Sequence, residues 1–335
     1  MRPSLVKTGP GPRNAITDVA GIRVGNAEDD KAWSGVTVVL ADAPAAIGVD
    51  VLGGAPGTRE TDLADPACLV ESCDAVVLAG GSAFGLDAAG GAMQWLAEQG
   101  RGFAVGPARV PIVPAAILFD LLNGGDKGWT EPPYRALGRA AVAAAAENFA
   151  QGNAGAGLGA TAGRLKGGLG SASFVTESGL AVGAILAVNP SGSVLMPGTR
   201  TFWAWNLAQG GELGPQVPPA GAIDPLADLF PDPPPLAGAN TTIGVVATNA
   251  KLSKAEAGRL AIMAQDGMAR AIRPCHTPFD GDTIFALATG AVDLPEPRPA
   301  LVSLLGSLAA DCVARAIARG VYLARPLGPW PAYRA

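Results

Sequence analysis

Histidine is almost absent from this chain: His276 is the only one among 335 residues. There is no HExxH and no paired His/Cys cluster, which argues against a zinc hydrolase. A Ser-His-Asp triad would have to run through His276. The one run close to a nucleophile elbow, GGSAFG (80–85), breaks the G-x-S-x-G pattern because position 84 is Phe. Ser82 is therefore read as a helix N-terminus packed on glycines. Cysteine is scarce as well: Cys68, Cys73, Cys275 and Cys312 fit neither CxxC nor a zinc spacing, and are expected to be reduced, buried thiols of a cytoplasmic protein. Charged residues make up 16%, the net charge is −5 and no Lys/Arg cluster stands out, so nucleic acid and acidic membrane are poor partners. Mean hydropathy is positive at +0.28, yet no uninterrupted apolar run is long enough to span a bilayer. The start, MRPSLVKTGPGPRNAITD, has no apolar core, so no signal peptide is expected. The glycine-rich GRLKGGLGS (163–171) lacks the G-x-x-x-x-G-K-[ST] order and reads as a tight turn rather than a phosphate loop.

What is present is core-forming sequence. The chain is 49% hydrophobic, enough for one large domain or two smaller ones. Strands are expected at 16–25 and 35–40, and at 49–62 as a strand ending in a Gly/Pro loop. A buried strand and glycine turn (74–85) lead into a helix at 86–100 closed by Gly100. An alanine-rich helix is expected at 135–149, a glycine-dense stretch entering a strand at 157–174, and an apolar strand at 180–189. Ser253 and Glu256 form a capping box for a helix over 254–272. A strand at 283–290 and a long apolar helix at 299–320, buried between layers, complete the pattern. Strands and helices mix without regular βαβ alternation, which favours a layered α+β sandwich.

The most informative junction is Asn240–Thr241. PLADLFPDPPPLAGAN (225–240) holds five prolines and reads as a surface linker. TTIGVVATN (241–249) is β-branched and reads as a buried strand. If the chain cuts itself there, Thr241 becomes an N-terminal residue with a hydroxyl nucleophile and its own amine base, of a kind that titrates at about 7.7–8.0. On these residues alone, an ordinary loop entering a strand remains the other reading.

The blocks NAITDVAGIRVGNA (14–27), SGVTVVL (34–40), GGAPGTRETD (53–62), VVLAGGSAFGLDAAGGAMQWL (76–96), KGGLGSAS (166–173), AVN (187–189) and NTTIGVVATNA (240–250) occur in order over nearly the whole length. In these the chain resembles the P1/DmpA family of self-cleaving N-terminal-nucleophile hydrolases, peptidase family S58. The resemblance implies a four-layer αββα sandwich, a single domain over 1–335 cut into 1–240 and 241–335, and no metal or cofactor. Within the family it is most similar to the nylon-oligomer hydrolases, which cut 6-aminohexanoate oligomers and carry Asn-Thr at the scissile bond. The aminopeptidase branch usually carries Gly-Ser. A homo-oligomer, a tetramer of heterodimers, is also implied.

The resemblance further implies roles. Thr241 is the nucleophile, first against the Asn240 carbonyl. Lys166 lies near it and lowers the pKa of its amine by like-charge repulsion. Asn189 is the oxyanion donor. Asp280 and Asp282, two apart, share a face if extended, as in the acidic pair of the nylon-oligomer hydrolases. On the residues alone, Lys166 also reads as a solvated turn lysine, Asn189 as a turn residue before Pro190, and the Asp pair as a polar turn. In VPIVPAAILFDL (110–121), Ala115, Ala116 and Ile117 stand where the aminopeptidase branch carries an ammonium-binding glutamate, so an apolar cleft wall is expected. The expected substrate is a linear amide or peptide. An aminopeptidase and an uncut, non-catalytic binding protein are the rivals.

Overall fold

The computed structural model describes residues 8–224, 227 and 240–334. The chain runs through β1 (Thr8–Gly9), β2 (Ile22–Asp29), β3 (Ser34–Val51), β4 (Thr58–Arg59) and β5 (Ser72–Ala79) to α1 (Ala88–Glu98). The hairpin β6 (Phe103–Val105) and β7 (Ala108–Val110), then β8 (Ala115–Ile117), precede α2 (Tyr134–Ala143). Next come β9 (Thr161–Ala162), β10 (Leu165–Lys166), β11 (Gly168–Thr176) and β12 (Ala181–Asn189). The C-terminal part is β13 (Thr241–Ala250), α3 (Lys254–Ala271), β14 (Thr283–Val292) and α4 (Arg298–Leu323). Of the proposed linker at 225–240, all but Ala227 and Asn240 lie outside the described residues.

Side-chain alternation explains the layers. Along β13, Ile243, Val245 and Ala247 enter one core while Val246 and Ala250 enter another, the period-two pattern of a strand buried on both faces. The first core joins them to Val39, Val76 and Leu78 of β3 and β5, and so lies between two facing sheets. The second lies under α3 and α4. A third packs Val36, Val38, Ala75 and Val77 against α1 and α2. The result is the αββα sandwich. Each fully buried Val, Ile or Phe contributes about 1.5–3 kcal/mol to it.

Strand β3 links the two sheets. Val36–Leu40 pairs with β5, and Ala46–Val51 pairs with β14, with a register shift between Leu40 and Ala45. The strand expected separately at 49–62 is therefore only the tail of β3. Pro44, which looks like a strand break, sits at this irregularity, where a ladder tolerates it. Ile16–Asp18 is a 3-10 turn, and the strand expected from 16 begins at Ile22. The alanine-rich helix stops at Ala143 rather than 149, because Ala146 exchanges both backbone hydrogen bonds with Val24.

The Ser253–Glu256 capping box opens α3 as expected. Helix α4 is long and apolar enough by length and composition to cross a membrane, and 67% of its 18-residue apolar stretch is buried within the fold. It does not lie between layers: it shares the outer layer with α3 and packs on β11 and β12. The glycine-dense run allows this contact, since a Cβ on Gly170 would lie 2.0 Å from Ala316 O. All four cysteines are free, but only Cys73 and Cys312 are buried; Cys68 is exposed and Cys275 intermediate, so the expectation of four buried thiols fails.

Candidate active site

Strand pairing builds the site. Strands β12 and β13 are antiparallel, and Asn189 lies directly opposite Thr241 at their shared end. Strand β14 runs parallel to β13, so the loop that enters it arrives at the same end. That loop carries Asp280, which bridges to Asn240, then Gly281 and Asp282.

Thr241 is 2% exposed. Its hydroxyl donates to the Asn240 carbonyl and accepts the Gly281 amide at 3.1 Å. The same Gly281 N–H lies 3.2 Å from the Asn240 carbonyl oxygen. One backbone donor thus serves both the hydroxyl and the carbonyl of the adjoining peptide.

The two carboxylates turn to different partners. Asp282 Oδ1 accepts the Thr242 amide at 2.8 Å. Its Oδ2 accepts the His276 amide at 3.0 Å and meets His276 Nδ1 at 2.9 Å. Burial opposes charge on this imidazole, but the Asp282 carboxylate and Cys275 outweigh it and raise its pKa to about 10. Asp280 Oδ1 accepts the Ser191 amide at 2.9 Å, and Oδ2 is held by the Thr277 hydroxyl and amide. Burial, then the neighbouring Asp282 charge, pushes the Asp280 carboxyl upward. Among the described residues neither carboxylate bonds the Thr241 hydroxyl. The shared face expected for an extended pair gives way to a polar turn with diverging contacts.

Lys166 is fully buried, not a solvated turn residue. Its ammonium donates to the carbonyls of Gly157 (2.9 Å), Ala160 (2.8 Å) and Gly167 (3.0 Å). Burial lowers its pKa to about 7, against the Asp120 charge, which raises it. The three carbonyls also favour the protonated form, because only an ammonium has three protons to give. The loop that Lys166 ties together presents the Thr161 amide to Asn189 Oδ1 at 2.8 Å. Asn189 Nδ2 in turn donates to the Phe119 carbonyl at 3.1 Å. The Asn189 amide is thereby fixed in orientation beside Thr241, and one of its two N–H groups has no protein acceptor among the described residues.

A family model for peptidase family S58 matches residues 14–329. The chain belongs to peptidase family S58. It is a hydrolase acting on peptide or amide bonds. Its relatives include an uncharacterized aminopeptidase of Mycobacterium bovis, 49% identical over 96% of this chain and 97% of that one. A 6-aminohexanoate-oligomer endohydrolase of Kocuria sp. is 32% identical, covering 83% of this chain and 76% of its own. Among solved structures, the L-aminopeptidase D-Ala-esterase/amidase of Ochrobactrum anthropi, a variant of the Ntn hydrolase fold, superposes with a TM-score of 0.66 at 23% identity, covering 96% and 89% of the two chains.

In this S58 peptidase the fold gathers Asn240, Thr241, Asn189, Asp280 and Asp282 at one sheet end, with Lys166 one loop behind. It does not supply the apolar cleft wall. Ala115 and Ile117 pack in the core under α1 and α2, and Ala116 in the core between the sheets. His276, Thr277 and Gly281 were not read from the sequence as site residues. Their signal was the single histidine four residues before an Asp-Gly-Asp, which gains meaning only once the loop is folded. Asp120 carries no motif in the sequence: it is buried, held by Ser34 Oγ at 2.7 Å and the Gly81 amide at 2.8 Å, and its charge acts on Lys166.

Proposed function

We propose that this chain cuts itself between Asn240 and Thr241 and then hydrolyses linear amides with Thr241 as nucleophile. One observation carries the reading: the buried Thr241 hydroxyl contacts the carbonyl of its own preceding peptide, and the Gly281 N–H reaches both. Oγ1 adds to the Asn240 carbonyl carbon, and charge developing on that oxygen is met by the Gly281 amide. The C–N bond breaks, the hydroxyl proton passes to the Thr241 nitrogen, and an ester joins Asn240 to Oγ1. Water then hydrolyses the ester, leaving an Asn240 carboxylate and a Thr241 with free hydroxyl and amine. In substrate turnover that amine takes the hydroxyl proton and later delivers it to the leaving amine. The fixed Asn189 amide offers its remaining N–H to the substrate oxyanion. The two pieces stay together because β12 and β13, on opposite sides of the cut, form one ladder and share two cores.

For substrate, the reading is a linear oligoamide of the 6-aminohexanoate type, on the Asn-Thr junction and the acidic pair. A second reading, an aminopeptidase, is favoured by the relative at 49% identity that bears that name and by the loss of the apolar wall. Mass spectrometry of protein purified without added protease tests the cut. Fragments 1–240 and 241–335 are expected, the smaller beginning TTIGVV. An active preparation of intact chain, or a start at Thr242, overturns the assignment of Thr241.

A further inference from the structure

His276 is held in an uncommon way. Its φ is +55°, a left-handed conformation that few residues other than glycine adopt and in which His, Asn and Asp are enriched. In that conformation its backbone N–H and its Nδ1 both reach the same oxygen, Asp282 Oδ2. The other oxygen of Asp282 holds the Thr242 amide. The chain of contacts is therefore His276 to Asp282 to the peptide immediately after Thr241. Asp282 is 1% exposed and the His276 side chain 19%, so the carboxylate end of this network is shielded from water, where charge-assisted hydrogen bonds are strong.

The consequence appears on cleavage. Thr241 loses the peptide bond on its N-terminal side and becomes a chain end, and chain ends are poorly ordered unless tied down. The Thr242 amide on Asp282 is then one of the restraints on the new terminus, beside the pairing with Asn189 and the Gly281 contact to the Thr241 hydroxyl. We infer that His276 is a positioning residue of this site, clamping Asp282 against the Thr242 amide and neutralising its carboxylate beside the new Thr241 amine. The inference rests on the reading of Thr241 as nucleophile and extends it to a residue that touches no reacting atom.

The electrostatic surroundings are specific. Asp282 is the only carboxylate bonded to the imidazole among the described residues. Cys275 adjoins it in sequence, Asp280 precedes Asp282 in the same loop, and Asp50 of β3 feels its charge from the neighbouring strand. Gln265 of α3, which bonds the Asp50 carbonyl at 3.0 Å, brings no charge. Removing the imidazolium leaves Asp282 uncompensated one peptide from the amine. An uncompensated carboxylate raises the pKa of a nearby amine, so less of it is neutral at a given pH.

The test compares pH profiles of kcat/KM for processed wild type, His276→Asn, Asp282→Asn and the double variant, on one amide that wild type cuts. Asparagine tolerates the left-handed φ and keeps a neutral donor. His276→Asn is expected to move the acid limb up by about one pH unit, and this shift is expected to vanish in the Asp282→Asn background. A His276→Asn profile that overlays wild type, or an equal shift in both backgrounds, overturns the role of His276. Should His276→Asn fail to fold, His276→Gly with added imidazole replaces it: recovery of the wild-type limb supports the role, and no recovery overturns it. Wild type that is never cut removes the nucleophile reading and this one with it. Cut, active wild type with an unmoved variant removes His276 alone.

Discussion

The Gly281 amide and the Thr241 hydroxyl lie 3.1 Å apart, and a Cβ on residue 281 would sit 2.8 Å from that hydroxyl and 2.7 Å from Ala55 O. Glycine is required there by space, because the loop must press its backbone against the nucleophile. Gly281→Ala is expected to slow conversion to fragments by about 10- to 100-fold, since one aligned donor is displaced. A time course on denaturing gels measures this. Wild-type processing in the alanine variant would remove Gly281 from the site.

Thr241→Ala is expected to give an uncut, inactive chain that still folds. The hydroxyl serves both steps, while its loss removes little apolar area. Thr241→Ser keeps hydroxyl and amine and is expected to retain part of both activities. Intact mass, circular dichroism and amide hydrolysis on the two variants separate these outcomes. Equal loss in both would mean that the threonine is only a strand residue.

Lys166→Met and Asn189→Ala are each expected to lower kcat by about 10²-fold or more in correctly cut protein. The causes differ. Without Lys166, the carbonyls of Gly157, Ala160 and Gly167 lose the ammonium that ties them together, while Ala160 keeps the Gly167 amide and Gly157 the Ala160 amide; a buried charge-assisted clamp is lost, so the methionine variant is also expected to melt earlier. Without Asn189, a fixed donor beside Thr241 is lost while the Lys166 clamp stays. Wild-type rates in both variants would contradict the roles carried to these positions.

How far these features could be read in advance depended on whether their cause was local. The capping box of α3 and the β-branched run of β13 are local patterns, and both elements formed where expected. Strand β3 was legible only in pieces, because an 18-residue strand that serves two sheets is decided by its partners rather than by its own residues. The Ala115–Ile117 stretch shows the opposite limit: apolarity marks burial but cannot tell a core from a cleft. On the residues alone Lys166 can equally be a turn lysine, because its three acceptors are backbone carbonyls, which leave no trace in sequence. His276 has no nucleophile-elbow serine to pair with; its partner is the Asp282 carboxylate.

Stability should report on the same pair. The His276 pKa lies at about 10 in the fold, against 6.5 for an ordinary imidazole. A raised folded value means that its stabilisation is full below 6.5 and is lost as pH climbs through about 10. The Tm difference between wild type and His276→Asn is therefore expected to be largest at pH 6 and to shrink steadily towards pH 10. Thermal melts across that range measure it, and a difference that is flat or grows with pH would show that the imidazole is not held charged by Asp282.

The last expectation concerns substrate. Both carboxylates of the acidic pair are occupied internally, Asp280 by Ser191 and Thr277, Asp282 by Thr242 and His276. Neither is spare to grip the ammonium of a peptide N-terminus, and the buried 115–117 stretch supplies no carboxylate in its place. An enzyme lacking that grip gains little from a short aminoacyl group. The Asn240–Thr241 junction, which the resemblance ties to the nylon-oligomer hydrolases, is the ground for a longer linear amide. We therefore expect kcat/KM for 6-aminohexanoate oligomers to exceed that for L-alanine and β-alanine p-nitroanilides, measured side by side on one processed preparation. A clear preference for the anilides would favour the aminopeptidase reading, which the 49% identical relative already carries in its name. It would leave the nucleophile assignment untouched, because that rests on the Asn240–Thr241 junction and not on the substrate.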